Sequence, residues 1–205
     1  LTEVIDQVRP DILHAHSPSL NGLAALRAAR RYNIPLVYEV RAFWEDAAVD
    51  HGTCREGDWR YRTTRALETY VLKRAAAITC ICEGLRYDIV HRGIPDAKIT
   101  VIPNAVDVTA FSTGGVPDAV FQAELGLVNK QVVGFIGSFY AYEGLTLLLD
   151  AIALLQQAWP DLRVLLVGGG PEEARLREQV QKKNITQRVI FTGRVPHDQI
   201  HKYYD

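Results

Sequence analysis

The sequence predicts an α/β protein whose two halves are each built on a doubly wound parallel β-sheet. Short runs of apolar and β-branched residues alternate with segments of helix length, a pattern typical of βαβ units. The alternation stops between Pro103 and Pro117, where glycines and prolines stand among Asn, Asp, Ser and Thr, and it restarts afterwards. We therefore expect two domains, residues 1–112 and 113–205, joined by a linker or crossover.

The first half carries four predicted strands separated by helices. The strands are expected at Asp11–His16, Leu36–Val40, Ala77–Cys82 and Lys98–Ile102, and the helices at Leu20–Arg31, Trp59–Ala76 and Gly84–Arg92. The second half carries three predicted strands. They are expected at Gln131–Gly137, Leu162–Val167 and Arg188–Thr192, with helices at Gly144–Trp159, Pro171–Lys183 and from Pro196 onward. Sheets of this kind usually have about five or more strands, so we expect both halves to be incomplete.

Composition excludes several classes of protein. Of the 205 residues, 48% are hydrophobic and 23% are charged, which fits a folded α/β protein and not a disordered chain. The net charge of −1 does not suggest a nucleic-acid partner. We see neither a signal peptide nor an apolar run of the roughly 20 residues that a membrane span needs. The sequence thus favours a cytoplasmic protein, and its first residue, Leu1, suggests a piece of a longer chain.

The three cysteines, Cys54, Cys80 and Cys82, do not form a disulfide framework and favour a reducing compartment. Cys80 and Cys82 flank Ile81 in a predicted strand, where they would share one face of the sheet. Two thiols without a partner Cys or His pair are too few for structural zinc. We interpret the cysteines as structural and predict no metal site.

Glycines follow each predicted strand of the second half. The carboxyl ends of parallel strands form the ligand crevice of a doubly wound sheet, and glycine lets a ligand approach the backbone there. The segments are Val133–Gly144, Leu165–Pro171 and Val189–Pro196. A plain turn is the alternative for the first two. The second segment is not a G-x-G-x-x-G fingerprint, and Glu172 and Glu173 make it better suited to a sugar or ribose than to phosphate.

Two histidines end the first predicted strand. His14 and His16 share a face, and His16 lies at the carboxyl end, where functional residues concentrate. We interpret His16 as functional and His14 as a core histidine. The long segment Glu39–Arg55 follows the second strand and could supply a base, an acceptor clamp or a lid, or be a solvated loop. Its candidate residues are Glu39, Arg41, Asp46 and His51.

The next predicted helix is rich in basic residues. They are Arg60, Arg62, Arg65, Lys73 and Arg74. These charges would suit a phosphorylated or lipid-diphosphate acceptor near a membrane surface, and a solvated helix face is the alternative.

Several of these segments, in this order, resemble glycosyltransferase family 4, a large family of retaining GT-B enzymes. The matching segments are D-I-L-H-A-H-S-P, I-T-C-I-C-E-G-L, I-T-V-I-P-N-A-V-D with Phe111, G-S-F-Y-A-Y-E-G, L-L-V-G-G-G-P and V-I-F-T-G-R-V-P. The segments are spread along the sequence, so the resemblance covers essentially the whole chain. The G-S-F-Y-A-Y-E-G form resembles a bacterial subset near exopolysaccharide clusters.

The resemblance implies two Rossmann-like domains, with the acceptor bound by the first and the nucleotide sugar by the second. It implies retention at the anomeric carbon, usually without metal or cofactor, and a UDP- or GDP-linked donor. His16 resembles the histidine that contacts the donor sugar, and Arg194 and Val195 resemble the segment that meets the base. The remaining donor-side candidates are Gly137, Ser138, Glu143, Gly144, Gly168 and Gly169.

The sequence departs from the family where Arg and Lys usually hold the donor diphosphate, because Ser138 and Glu143 stand there. Each lost charge-assisted contact is worth about 1.5–3 kcal/mol. The family's first strand and its Glu-x7-Glu motif would lie outside this chain, so we expect the isolated chain to be inactive. A hexosyltransferase is the leading interpretation. The alternatives are a non-catalytic homologue that binds a glycan or partner, and a nucleotide-sugar epimerase on the same fold.

Overall fold

The computed structural model describes residues 1–109 and 118–204 and divides the chain into two units, Leu1–Ala105 and Val106–Asp205. Each unit has its own parallel sheet and its own core. The predicted boundary between residues 112 and 113, and Phe111 of the family-like segment, lie outside the described residues. In the part that is described, no helix has the length and apolarity to cross a membrane.

The first unit is a four-stranded parallel sheet in the order β1-β2-β3-β4. Its elements are α1 (Thr2–Val8), β1 (Leu13–His16), α2 (Ser19–Tyr32), β2 (Leu36–Val40), α3 (Trp44–Asp50), α4 (Trp59–Arg74), β3 (Ala77–Cys80), α5 (Glu83–His91) and β4 (Ile99–Val101), with a 3₁₀ turn at Asp96–Lys98.

The second unit is a three-stranded parallel sheet in the order β5-β6-β7. Its elements are α6 (Ala119–Glu124), β5 (Gln131–Ser138), α7 (Leu145–Leu155), β6 (Leu162–Gly169), α8 (Glu173–Lys182) and β7 (Val189–Gly193), with 3₁₀ turns at Ala141–Glu143, Thr186–Arg188 and His197–Tyr203.

The predicted strands are confirmed throughout the described residues, and three details are corrected. β3 ends at Cys80, and Cys82 is the exposed residue before α5, so the two thiols do not share a strand. The segment after β2 is not a continuous loop, because it contains α3. The last predicted helix is a 3₁₀ segment over His197–Tyr203. The short helices α1, α3 and α6 lack the long apolar periodicity on which prediction depends.

The core of the first unit lies on one face of its sheet. Tyr38 and Ile78 are buried there against Val71 and Leu72 of α4. Gly22 allows α2 to lie close, because a Cβ there would be 2.5 Å from a Val71 methyl carbon and 2.8 Å from the Tyr38 ring. The opposite face of β1 remains open, which leaves the side chains of His14 and His16 exposed.

Two buried carboxylates attach the helices to this core. Glu45 of α3 is fully buried, and its Oε1 lies 2.7 Å from Nη1 of Arg92, whose guanidinium covers the Phe43 ring. Glu68 of α4 is also buried and accepts a 2.7 Å hydrogen bond from the Tyr38 hydroxyl. A buried charge is tolerated only with a partner, so these contacts hold α3, α4 and the chain after α5 in place.

We predict that Glu45→Gln will lower the free energy of unfolding by about 3–5 kcal/mol, because it leaves the buried Arg92 guanidinium without its counter-charge. Urea denaturation followed by circular dichroism measures the effect. Glu178→Gln, which removes an exposed pair with Lys182, is the matched control and should change stability far less. Equal effects of the two substitutions would contradict a stabilising role for the buried pair.

Burial and the nearby charge of Glu45 raise the pKa of Glu68 above its ordinary value, against the opposing effect of the hydrogen bond from Tyr38. A carboxyl group whose pKa is higher in the folded than in the unfolded protein stabilises the fold at pH values below its pKa in the unfolded protein. This stabilisation is lost as the pH rises through the pKa of the folded protein. Wild-type stability relative to Glu68→Gln should therefore fall as pH rises from about 4 to about 8.

Denaturant titrations of both proteins across this range test the prediction. Glu178→Gln is the control with the opposite sign, because the hydrogen bond and charge of Lys182 lower the pKa of Glu178. The stability contributed by Glu178 is present above its unfolded pKa and is lost as pH falls. A stability difference between wild type and Glu68→Gln that does not change with pH would refute the assignment.

Candidate functional site

The candidate donor-side residues of the second unit lie at one edge of its sheet. Gly137 pairs with Gly168 and Ser138 pairs with Gly169, so β5 and β6 end side by side. The pairing continues one residue further, because the Phe139 amide donates to the Gly169 carbonyl at 3.1 Å. The predicted convergence of glycine-ended strands is therefore present within this unit.

The glycines after β6 have different local roles. Gly168 has a φ of +134°, and a Cβ on it would collide with the Gly137 carbonyl oxygen. A Cβ on Gly170 would be 2.7 Å from both the N and the O of Phe139. At these two positions glycine permits close backbone packing. This agrees with the alternative interpretation of the segment as a plain turn. Contact of Gly168 and Gly169 with a ligand stays a prediction.

Gly169 is different, because side chains and not backbone atoms face it. A Cβ there would be 3.1 Å from Oε2 of Glu173 and 3.7 Å from Cγ of Arg194. Arg194 follows β7 and is exposed, whereas Val195 packs against the cluster of Leu127, Leu165 and Val167. The exposed cation of Arg194 therefore lies beside the glycine loop. The sequence does not predict this proximity, because the two residues are far apart along the chain.

The loop after β5 presents polar and aromatic groups to solvent. Ser138 and Glu143 are exposed, and Glu143 ends the 3₁₀ turn before Gly144 and α7. The rings of Tyr140 and Tyr142 stack with centroids 5.3 Å apart. We did not predict this pair from the sequence, although two tyrosines in a loop at the sheet edge are a usable signal for sugar or base stacking.

In the first unit, parallel pairing brings three of the candidates, His16, Glu39 and Arg41, together with His14. His16 lies opposite Glu39 in the register of β1 and β2. Oε2 of Glu39 is 3.4 Å from Nδ1 of His16 and 3.1 Å from Nε2 of His14. Oε1 of the same carboxylate accepts a 2.8 Å hydrogen bond from Nε of Arg41. The assignment of His14 to the core is wrong, because its side chain is 49% exposed and faces Glu39.

Glu39 is held as a carboxylate by its neighbours. Partial burial acts to raise its pKa, but the hydrogen bond from Arg41 and the charges of His16, Arg41 and His14 outweigh burial, and the pKa lies below its ordinary value. An ionised carboxylate at this position can accept N–H hydrogen bonds from both imidazoles and so orient the two rings. Arg41 is further attached to β1, because its amide donates to the Ser17 hydroxyl at 3.3 Å.

The other candidates of the first unit occupy separate positions. Asp46 lies on α3 and accepts a 2.8 Å hydrogen bond from the Tyr61 hydroxyl, which ties α3 to α4. His51 is the exposed residue that ends α3. Of the basic residues of α4, Arg60 binds the Thr53 carbonyl. The others line an open surface depression of about 760 Å³; they are Arg62, Arg65, Lys73 and Arg74.

Two Rossmann-like units with parallel sheets and glycine-ended strands are the architecture of GT-B glycosyltransferases, and solved structures of that class resemble this chain. The Anabaena protein Alr3699/HepE in complex with UDP superposes with a TM-score of 0.79 over 98% of this chain and 52% of its own, at 21% identity. Sucrose-phosphate synthase from Thermosynechococcus elongatus superposes with a TM-score of 0.74 over 98% of this chain and 50% of its own, at 20% identity. These likenesses show the fold.

The chain belongs to glycosyltransferase family 4. The model of that family matches residues 1–110, and the model of glycosyl transferases group 1 matches residues 118–205. A 2-deoxystreptamine glucosyltransferase of Streptomyces kanamyceticus is 29% identical over 87% of this chain and 46% of its own length. A D-inositol 3-phosphate glycosyltransferase of Jonesia denitrificans is 31% identical over 88% and 45%. The chain spans about half the length of these relatives.

We predict that Gly168→Ala will destabilise the second unit by at least about 2 kcal/mol, because alanine is strained at this φ and its Cβ would strike the Gly137 carbonyl. Gly134→Ala in β5 is the matched control, since among the described residues no atom beyond its own chain neighbours lies within 4 Å of a Cβ there. Thermal denaturation of both variants gives the comparison. A melting temperature for Gly168→Ala equal to that of Gly134→Ala would show that the close approach is not required.

Proposed function

We propose that this chain is part of a retaining glycosyltransferase that moves a hexose from a nucleoside diphosphate sugar to a glycan or lipid-linked acceptor. The observation that carries the proposal is the meeting of Gly137, Gly168 and Gly169 at one sheet edge, with Arg194 beside them. The exposed end of β5 at Gly137 and Ser138, and the exposed Arg194 after β7, lie at the carboxyl edge of the sheet, a position that suits a nucleotide sugar. The second unit is the donor side of this proposal.

Similar proteins favour a UDP-linked donor. Alr3699/HepE has been solved with UDP, with UDP and glucose, and with UDP-glucose. Relatives include a glucosyltransferase and a 2-deoxystreptamine N-acetyl-D-glucosaminyltransferase from Streptomyces fradiae. We propose UDP before GDP on this support, with no cofactor. We also propose that the protein is cytoplasmic, at the inner face of the membrane, where the basic residues of α4 could meet an anionic surface or lipid-linked acceptor.

In the first unit we assign donor-sugar positioning to His16. Its Nδ1 faces Glu39, which leaves Nε2 to contact a sugar hydroxyl. A carboxylate that fixes one imidazole nitrogen determines the tautomer and the orientation of the ring. Glu39 is therefore a positioning residue in this proposal. We keep Glu39, Arg41, Asp46 and His51 as acceptor-side candidates, and Asp46 acts there through its contact with Tyr61.

The diphosphate needs a cation, because neither Ser138 nor Glu143 can neutralise it. Arg194 is the exposed cation that the structure brings to the glycine loop. An arginine can bind phosphate oxygens with two parallel hydrogen bonds. We propose that Arg194 contributes this charge in addition to the main-chain contact with the base, and that Glu143 binds an acceptor hydroxyl.

A thermal-shift screen of the intact protein against UDP, GDP, ADP and their sugars tests the donor site. We expect selective stabilisation by one nucleotide, because a ligand that binds only the folded state raises the melting temperature. Arg194→Ala should reduce the shift, and Glu143→Ala should preserve or increase it by removing a negative charge. A shift that survives Arg194→Ala unchanged would contradict the role of that cation.

We predict that His16→Ala will lower kcat about a hundredfold in the intact enzyme without changing the melting temperature, because it removes a contact to the reacting sugar from an exposed position. Initial rates with the donor that the screen identifies give the measurement. His91→Ala, an exposed histidine on α5, is the matched control and should retain the wild-type rate. Equal rates for His16→Ala and wild type would show that His16 does not take part in the reaction.

Ser138 and Glu143 favour a second candidate, a non-catalytic homologue that binds a glycan or partner. The absence of any shift with every nucleotide at millimolar concentration would support this candidate. A nucleotide-sugar epimerase differs from a glycosyltransferase in its product, because it converts one nucleotide sugar into another without an acceptor. Nuclear magnetic resonance of the products identifies both the reaction and the anomeric configuration. The inactivity expected for the isolated chain stays a prediction.

A further inference from the structure

A second property of the first unit follows from the arrangement of His14, His16 and Glu39. The two histidines are separated by one residue on β1, so both side chains lie on the open face of the sheet. Glu39 lies on the adjacent strand directly opposite His16. The parallel register thus gathers two imidazoles and one carboxylate from different parts of the chain on one surface.

Two of the three distances between potential ligand atoms in this cluster are close to those of a metal site. One potential ligand atom from each residue lies within 4.8 Å of the other two. Oε2 of Glu39 is 3.1 Å from Nε2 of His14 and 3.4 Å from Nδ1 of His16. Ligand atoms bound tetrahedrally at about 2.1 Å from a zinc ion are about 3.4 Å apart. The imidazole rings of His14 and His16 are stacked with centroids 5.0 Å apart and planes at 21° to each other, so one ring must rotate before both nitrogens face a shared ion.

The surroundings of the carboxylate also suit an ion. Arg41 binds Oε1, which leaves Oε2 directed at the histidines. Hydrogen bonds from a second layer commonly hold ligating carboxylates in this way. The side chains of His14 and His16 are 49% and 52% exposed, whereas that of Glu39 is 17% exposed. An ion could therefore enter from solvent and meet a carboxylate that is already oriented.

We propose that Nε2 of His14, Nδ1 of His16 and Oε2 of Glu39 form a binding site for a divalent transition-metal ion, with water in the remaining coordination positions. Imidazole nitrogens favour zinc, nickel, cobalt and copper, whereas magnesium and calcium prefer an all-oxygen set. The site needs neither a nucleotide nor an acceptor. Its existence can therefore be tested without any transfer activity.

Titration calorimetry of NiCl₂ into the intact metal-free protein is the test, with CoCl₂ absorption spectra as a second readout of the ligand set. We expect saturable binding at this site, and His14→Gln and Glu39→Gln should each weaken it at least about tenfold because each removes a ligand. His91→Gln is the control for a general histidine effect, since His91 is exposed on α5 and away from this strand pair. It should leave the affinity unchanged.

A Cys82→Ser variant distinguishes nickel binding at the proposed site from nickel binding by the exposed thiol of Cys82. The proposal predicts that this variant binds nickel as the parent protein does. Loss of binding in Cys82→Ser, or equal affinity in His14→Gln, Glu39→Gln and the parent, would overturn the proposal. A titration without saturable binding would do the same. None of these outcomes depends on the nucleotide screen, so failure of the metal site and failure of the proposed transferase are distinguishable.

Discussion

Parallel pairing between neighbouring strands is the constraint on which the candidate sites of both units depend. In the first unit it sets His16 opposite Glu39, and in the second it sets Gly137 opposite Gly168. Because parallel strands run in the same direction, their carboxyl ends, and the loops that follow, lie at one edge of the sheet. Residues far apart in sequence become neighbours there because the strands that carry them are paired.

Close packing and buried charge maintain this arrangement in different ways. In the second unit, glycine at positions 168 and 170 lets the end of β6 touch the backbone at Gly137 and Phe139. In the first unit, the Glu45–Arg92 ion pair and the Glu68–Tyr38 hydrogen bond attach helices to the core. Single substitutions are expected to disrupt either arrangement. A buried charge without a partner, or a Cβ placed in filled space, lowers the free energy of unfolding by several kcal/mol.

Much of the fold could be predicted, and less of the site. Alternation of apolar runs and helix-length segments was enough to place every strand in the described residues to within about two positions. It missed α3, because Trp44–Asp50 is short and its buried member is the acidic Glu45. The same limitation misplaced His14, because the alternation of side chains along β1 does not say which face is covered. The proximity of Arg194 to Gly169 and the Tyr140–Tyr142 stack depend on loop geometry, for which no sequence period exists.

The sequence by itself determined the α/β class, the two halves, the order of the strands along the chain and the family resemblance, since these follow from periodicity and from motifs with local spacing. Only the tertiary structure decided which residues meet. It decided that Glu39 faces both histidines while Arg41 holds its other oxygen, and that Glu45 is buried against Arg92. The physical reason is that strand register and helix packing are set by the burial of the whole unit, which no local segment encodes.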